Sequence, residues 1–118
     1  AMLILETQNA SYLPQMTEHA AQAFRMRPCA SSYMVLQNAM QWPPFREQGR
    51  QIIKDFFEDI CRRQDELKKQ SGSAELLTVA GFAADYLAKA EPEQRNRYRQ
   101  FRQEFRMEAD RLMKEAVW

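Results

Sequence analysis

The stretch AELLTVAGFAADYLAKA, residues 74–90, constrains the fold more than any other. Wound as a helix, it places Leu76, Leu77, Val79, Ala80, Phe82, Ala83, Ala84, Tyr86 and Leu87 around most of its circumference. Only Glu75, Thr78, Asp85 and Lys89 interrupt the apolar surface. A rod that is greasy on nearly every side has to be surrounded by other elements, so it belongs at the centre of a domain. Its alanines and Gly81 leave room for neighbouring helices to approach closely.

The neighbours it needs are legible as further helices, cut apart by proline and glycine. Segment 14–26 opens on Pro14, a favoured first-turn residue, and ends at Arg27-Pro28. Met16, His19, Ala20, Ala23, Phe24 and Met26 form its apolar side. Segment 31–41 has Ser31 or Ser32 as its N-cap, with Met34, Val35, Asn38 and Trp42 recurring on one side. Trp42-Pro43-Pro44-Phe45 reads as a sharp connection, because successive prolines break a helix interior.

Segment 44–70 carries the clearest 3.6-residue period: Phe45, Ile52, Phe56, Ile60 and Leu67, widened by Ile53, Phe57 and Gln64. Its opposite side is laddered with Glu58–Arg62, Asp59–Arg63 and Asp65–Lys69, each pair contributing about 0.2–0.5 kcal/mol. Ser71-Gly72-Ser73 stops it. Segment 92–117 buries Tyr98, Phe101, Phe105, Ala109, Leu112 and Ala116 by the same period. No strand-like alternation occurs, although Met2-Leu3-Ile4-Leu5 suits a short extended arm within residues 1–13. The expected architecture is therefore all-α: one domain over 1–118, a bundle of four to five helices, mostly antiparallel, with 74–90 central.

Charge excludes some functions and leaves others open. Basic and acidic residues number 17 and 16, so electrostatic function has to come from local patches. One such patch lies in RNRYRQFRQEFR, residues 95–106. On a helical wheel Arg99, Arg102 and Arg106 fall within about 40° of Arg95, beside the aromatic stripe. Glu104, Glu108 and Glu115 line the opposite edge, where Arg97 is the basic exception. The arginine stems can cover the core margin while their guanidiniums meet acids such as Asp55, Glu58, Asp59 and Glu66. Alternatively, the row spans about 16 Å and follows phosphates or an acidic protein groove. The period assigns Phe101 and Phe105 to the core, where they cannot stack on bases, and leaves Tyr98, at the start of the same buried stripe, as the one ring that could reach the surface.

Chemistry is sparse. A zinc site would need His19, Cys29 and Cys61 together with a carboxylate, without the usual short spacings. A single histidine rules out a di-iron bundle, and no nucleophile elbow, Walker loop or dinucleotide fingerprint occurs. No catalytic residue, metal or cofactor is therefore expected. The two cysteines, 32 residues apart, read as reduced thiols of a cytoplasmic protein. Ala1 ahead of Met2 reads as a tag remnant, and no apolar run approaches the ~20 residues needed to cross a membrane. Seven methionines suit irregular cores or adaptable binding surfaces. Met107 faces away from the aromatic stripe, on the same outward side as Trp118, and Trp42 sits at the proline turn.

These features lead to one functional expectation and one alternative. The chain is expected to be a small cytoplasmic interaction or regulatory protein that docks a protein partner or self-associates as a homodimer. The alternative is a nucleic-acid-binding regulator. The candidate contact residues are Arg95, Arg99, Arg102, Arg106, Met107 and Trp42.

Overall fold

The structure is a computed structural model describing the backbone of residues 2–117 and the side chains of 14–70 and 72–115. It is all-α, with no strand among the described residues. The helices are α1 (Met2–Met26), α2 (Ala30–Ala39), α3 (Pro43–Arg62), the single turn α4 (Gln64–Leu67), α5 (Ala74–Ala90) and α6 (Arg95–Val117). Short 3-10 turns at Ser71–Ser73 and Pro92–Gln94 lead into α5 and α6. The chain divides into two compact units, residues 1–52 and 53–118, with the boundary inside α3.

In the first unit α1 and α2 form an antiparallel pair, with Phe24 near Tyr33 at one end and Met16 near Trp42 at the other. The backbone of α1 is helical from Met2, so the extended arm expected within 1–13 is a helix instead. Pro14 consequently lies inside α1, where its missing N–H removes one intrahelical bond. Thr17 Oγ1 donates to the Pro14 carbonyl at 3.0 Å and so satisfies an acceptor beside the proline.

The buried face of α1 is Thr17, Ala20, Ala21 and Phe24; Met16, His19, Ala23 and Met26 of the expected stripe are exposed. The buried face of α2 is Ser32, Tyr33, Leu36 and Met40, while Met34, Val35 and Asn38 point outward. Small residues explain the shift in α1. Thr17 and Ala21 weigh little in a hydrophobicity pattern, yet they permit close helix contact. The N-cap of α2 is Cys29 and not Ser31 or Ser32. Ser32 instead reaches back one turn, accepting from the Cys29 N–H at 3.0 Å and lying 2.8 Å from the Arg27 carbonyl.

Helix α2 ends at Ala39, short of the expected Gln41, and the proline connection is tighter than the sequence suggests. Trp42 N donates to Ala39 O at 3.1 Å and Phe45 N to Trp42 O at 3.0 Å. Pro43 and Pro44 already belong to the first turn of α3, where missing N–H groups cost no intrahelical bond.

The second unit is built on α5, whose Leu77, Val79, Ala80, Ala83, Ala84, Leu87 and Ala88 are buried. Helix α6 runs antiparallel to it, as the pairing of Asp85 with Arg102 and the approach of Gly81 to Arg106 show. It runs parallel to the second half of α3 and α4, meeting Glu58 with Arg97, Gln64 with Glu104 and Lys68 with Arg111. Consecutive long helices of this unit alternate direction, and α3 with α6, two apart, share one. The single helix expected over 44–70 breaks at Arg63 (φ −98°, ψ 8°) before the short α4. Of its expected ladder, Asp59–Arg63 forms at 3.2 Å, while Arg62 turns to Asp59 rather than Glu58.

Two helical glycines differ in what surrounds them. A Cβ on Gly49 would fall 2.8 Å from Met40 Sδ and 3.2 Å from Phe45 Cε2, closer than side chains tolerate. A Cβ on Gly81 would meet only Arg106 Cγ, at an ordinary 3.6 Å. Alanine at Gly81 should therefore stabilise by about 0.5–1 kcal/mol through helix propensity. At Gly49 the same gain is overrun by overpacking, typically ~1–3 kcal/mol, and the net change should be destabilising. Urea titration of the two variants measures both signs.

Candidate functional site

The arginine-aromatic stretch sits on α6, and its rings converge on one residue of α3. Phe57, fully buried, has Tyr98, Phe101 and Phe105 around it at centroid distances of 5.3, 5.6 and 6.0 Å, all edge-on. Edge-to-face pairs add about 0.5–1.5 kcal/mol each beyond area burial. Tyr98 is wholly buried, as its place in the apolar stripe implies, and does not reach the surface. The Tyr98 hydroxyl explains how a phenol is accommodated there: it donates to Glu91 Oε1 at 3.1 Å, and Lys54 Nζ donates to the same oxygen at 3.0 Å. Burial, with the Glu91 carboxylate next, pushes the Tyr98 phenol up to about 12. The buried Phe57, Tyr98 and Phe105 are not available to stack on a base, whereas Phe101 is only half-buried.

The cation over this cluster is Arg97, not a member of the predicted row. Its guanidinium lies 5.5 Å from the Phe57 centroid and 5.4 Å from that of Phe101. It also grips Glu58 with two parallel bonds of 2.9 and 3.0 Å. The hydrogen bond from Arg97 holds the Glu58 carboxyl below its usual 4.5, against the opposing effect of partial burial. Of the acids expected to neutralise the row, Glu58 is therefore committed to Arg97, and Asp59 to Arg62 and Arg63.

The row itself is largely uncompensated. Arg102 Nε lies 3.6 Å from Asp85 Oδ1, so its acid comes from α5 and not from α3. Arg95, Arg99 and Arg106 are exposed and form no ion pair among the described residues. Arg102 and Arg106 border a groove between α5 and α6 of about 380 Å³, shared with Gly81, Phe82, Asp85 and Asp110. Met107 is 64% exposed on another side of α6, and Trp118 lies outside the described residues.

A second recess lies in the first unit, between α1, α2 and the start of α3. It measures about 700 Å³, and its lining includes Met16, Ala20, Val35, Asn38, Ala39 and Trp42. No charged residue contributes to it among the described residues. Met16 and Val35 remain 55% and 51% exposed at its edge, far above core values. Here the sequence contains the signal in inverted form. The apolar period of Val35, Asn38 and Trp42 is real, but it marks an open groove while Tyr33, Leu36 and Met40 fill the interior. Met16 and Val35 went unrecognised as surface candidates for that reason.

The residues considered for catalysis and metal binding do not come together. His19 lies exposed on α1, lining a shallow depression with Pro14, Gln15, Glu18 and Gln22. Among the described residues no group of three or more His, Cys, Asp or Glu side chains is placed to hold a metal ion. Neither Cys29 nor Cys61 forms a disulfide. No helix among the described residues is long and apolar enough to cross a membrane. Compared with family models, curated proteins and solved structures, the chain matches none.

Two measurements follow from this chemistry. Glu58 has its carboxyl lowered on folding, so the bridge stabilises above the ordinary carboxylate value and its contribution disappears as pH falls through the lowered one. Glu58→Gln should thus reduce stability at pH 7, and the gap to the unmodified protein should close as pH falls through the lowered carboxyl value. Burial, then the nearby Glu58, pushes the Cys61 thiol up to about 12. Since thiolate is the nucleophile, iodoacetamide at pH 8 should leave Cys61 largely unmodified in the folded protein and label it rapidly in guanidinium. Peptide mass mapping distinguishes the two cysteines.

Proposed function

We propose that this protein is a non-enzymatic docking module that engages a protein partner through the uncharged α1–α2 groove. The observation carrying this reading is the combination of volume and lining: about 700 Å³ of recess without one charged side chain among the described residues, with Met16 and Val35 half in water. Open apolar surface of this kind costs solubility, and it is a common mark of binding grooves. Methionine at the edge suits a surface that adapts to its partner, and Trp42 supplies a large, stiff anchor of the sort enriched in binding hot spots. An amphipathic helix or apolar strand of another protein fits such a groove better than a charged small molecule does. The module acts in the cytoplasm, where the thiols of Cys29 and Cys61, neither in a disulfide, remain reduced.

The reading is tested by placing a photo-crosslinking amino acid at Val35, with a control at the exposed Asp65 in the other unit. Expected are one or a few discrete protein adducts from Val35, none from Asp65, and their loss on Met16→Asp. Exposed substitutions of this type change stability by about ±0.5 kcal/mol, so circular dichroism and melting should be retained. No adduct, or the same adducts from both positions, would reject the groove as a docking site.

A further inference from the structure

We infer that the arginine row of α6 is a second docking surface, chemically opposite to the first, and that its partner is an acidic segment of a protein carrying apolar side chains. Arg95, Arg99 and Arg106 are exposed without an ion pair among the described residues, and Arg102 is held only by a 3.6 Å contact to Asp85. Spacings of four, three and four residues align the guanidiniums on successive turns over about 16 Å. Elsewhere in the second unit the arginines are occupied: Arg97 by Glu58, Arg62 and Arg63 by Asp59, Arg111 by Glu108 and Glu115. The unit satisfies its other guanidiniums internally and leaves this line open.

Two features choose the kind of acid. Phe82, 47% exposed, borders the same groove as Arg102 and Arg106, and Met113, 52% exposed, sits two turns beyond Arg106 on the same face. Apolar side chains beside the cations reward a partner that brings apolar side chains of its own. Asp85 and Asp110 also face the groove. A nucleic-acid backbone presents evenly repeated phosphates and would bring some of them against these carboxylates. A peptide places its carboxylates one at a time, opposite Arg95, Arg99 and Arg106, and leaves neutral or basic residues over Asp110. The discontinuous charge of this edge therefore fits a protein, and like-charge contacts count against phosphate.

The experiment uses the full chain and three probes in fluorescence anisotropy. These are an 18-residue helical peptide with glutamates every three or four positions flanked by leucines, its Glu→Gln counterpart, and a 20-nucleotide DNA in single-stranded and duplex form. The acidic peptide should bind, with affinity falling as salt rises from 50 to 300 mM. Arg99→Glu with Arg106→Glu should weaken it about tenfold or more, as expected for reversing charges in a complementary pair of surfaces. Arg25→Glu with Arg46→Glu, the same change in net charge at exposed positions of the first unit, should alter it less than about twofold because it leaves the row itself intact. Absence of acidic-peptide binding, equal binding of the Gln peptide, equal loss in the two double variants, or tighter binding of DNA would each overturn the inference. Groove substitutions at Met16 leave this assay unchanged, so its outcome is separate from that of the α1–α2 groove.

Discussion

The second unit depends on one ring. Phe57 takes the edges of Tyr98, Phe101 and Phe105 from α6, so a single side chain of α3 fixes the register of the two parallel helices. Truncating a buried phenylalanine typically costs about 3–5 kcal/mol, whereas an exposed ion pair is worth about 0–1. The Arg97–Glu58 bridge over this cluster therefore adds orientation more than stability. Its planar guanidinium covers the edge of the cluster, which a flexible ammonium would not do as well. The ring cluster also fixes where the remaining arginines go. With Tyr98, Phe101 and Phe105 turned inward, Arg95, Arg99, Arg102 and Arg106 are left along the margin facing α5.

The two surfaces proposed for docking differ because the packing beneath them differs. On the α1–α2 pair the interior is filled by Tyr33, Leu36, Phe24 and small residues of α1. The larger flexible side chains, Met16, Met34 and Val35, stay outside. On the α5–α6 pair the interior takes nearly every apolar side chain, and what remains outside is charge with a few apolar residues between. One surface offers desolvation of apolar area, the other electrostatic selection. Such surfaces answer to different partners and different salt conditions.

Sequence reasoning reached the helical class, the central place of 74–90 and the inward stripe of α6, because long runs of large apolar residues keep a clean 3.6-residue period. It failed where the contact face is small. In α1 the buried residues Thr17 and Ala21 carry almost no hydrophobic signal, while exposed Met16 and Met26 carry much. In α2 two apolar stripes compete, Met34–Val35–Trp42 and Tyr33–Leu36–Met40, and periodicity alone does not rank them. Tertiary contact decided in favour of the stripe with the aromatic next to Phe24. The row of arginines was legible by spacing, but its acid was not: Asp85 belongs to the apolar helix, and pairing across elements leaves no trace in local sequence. The partners of the buried Tyr98 hydroxyl were hidden for the same reason, since Lys54 and Glu91 lie 44 and seven positions away.

The shared oxygen of Glu91 has a consequence for how the second unit assembles. Glu91 follows the last turn of α5, with its own N–H bonded back to Leu87 O at 2.8 Å, and its carboxylate is claimed by α6 through Tyr98 and by α3 through Lys54. The reversal between two adjacent helices is thus completed by a third that precedes both in the chain. A hairpin of α5 and α6 alone would hold a half-satisfied carboxylate and an unshielded aromatic stripe. A single carboxylate oxygen thus ties together residues of all three long helices of this unit.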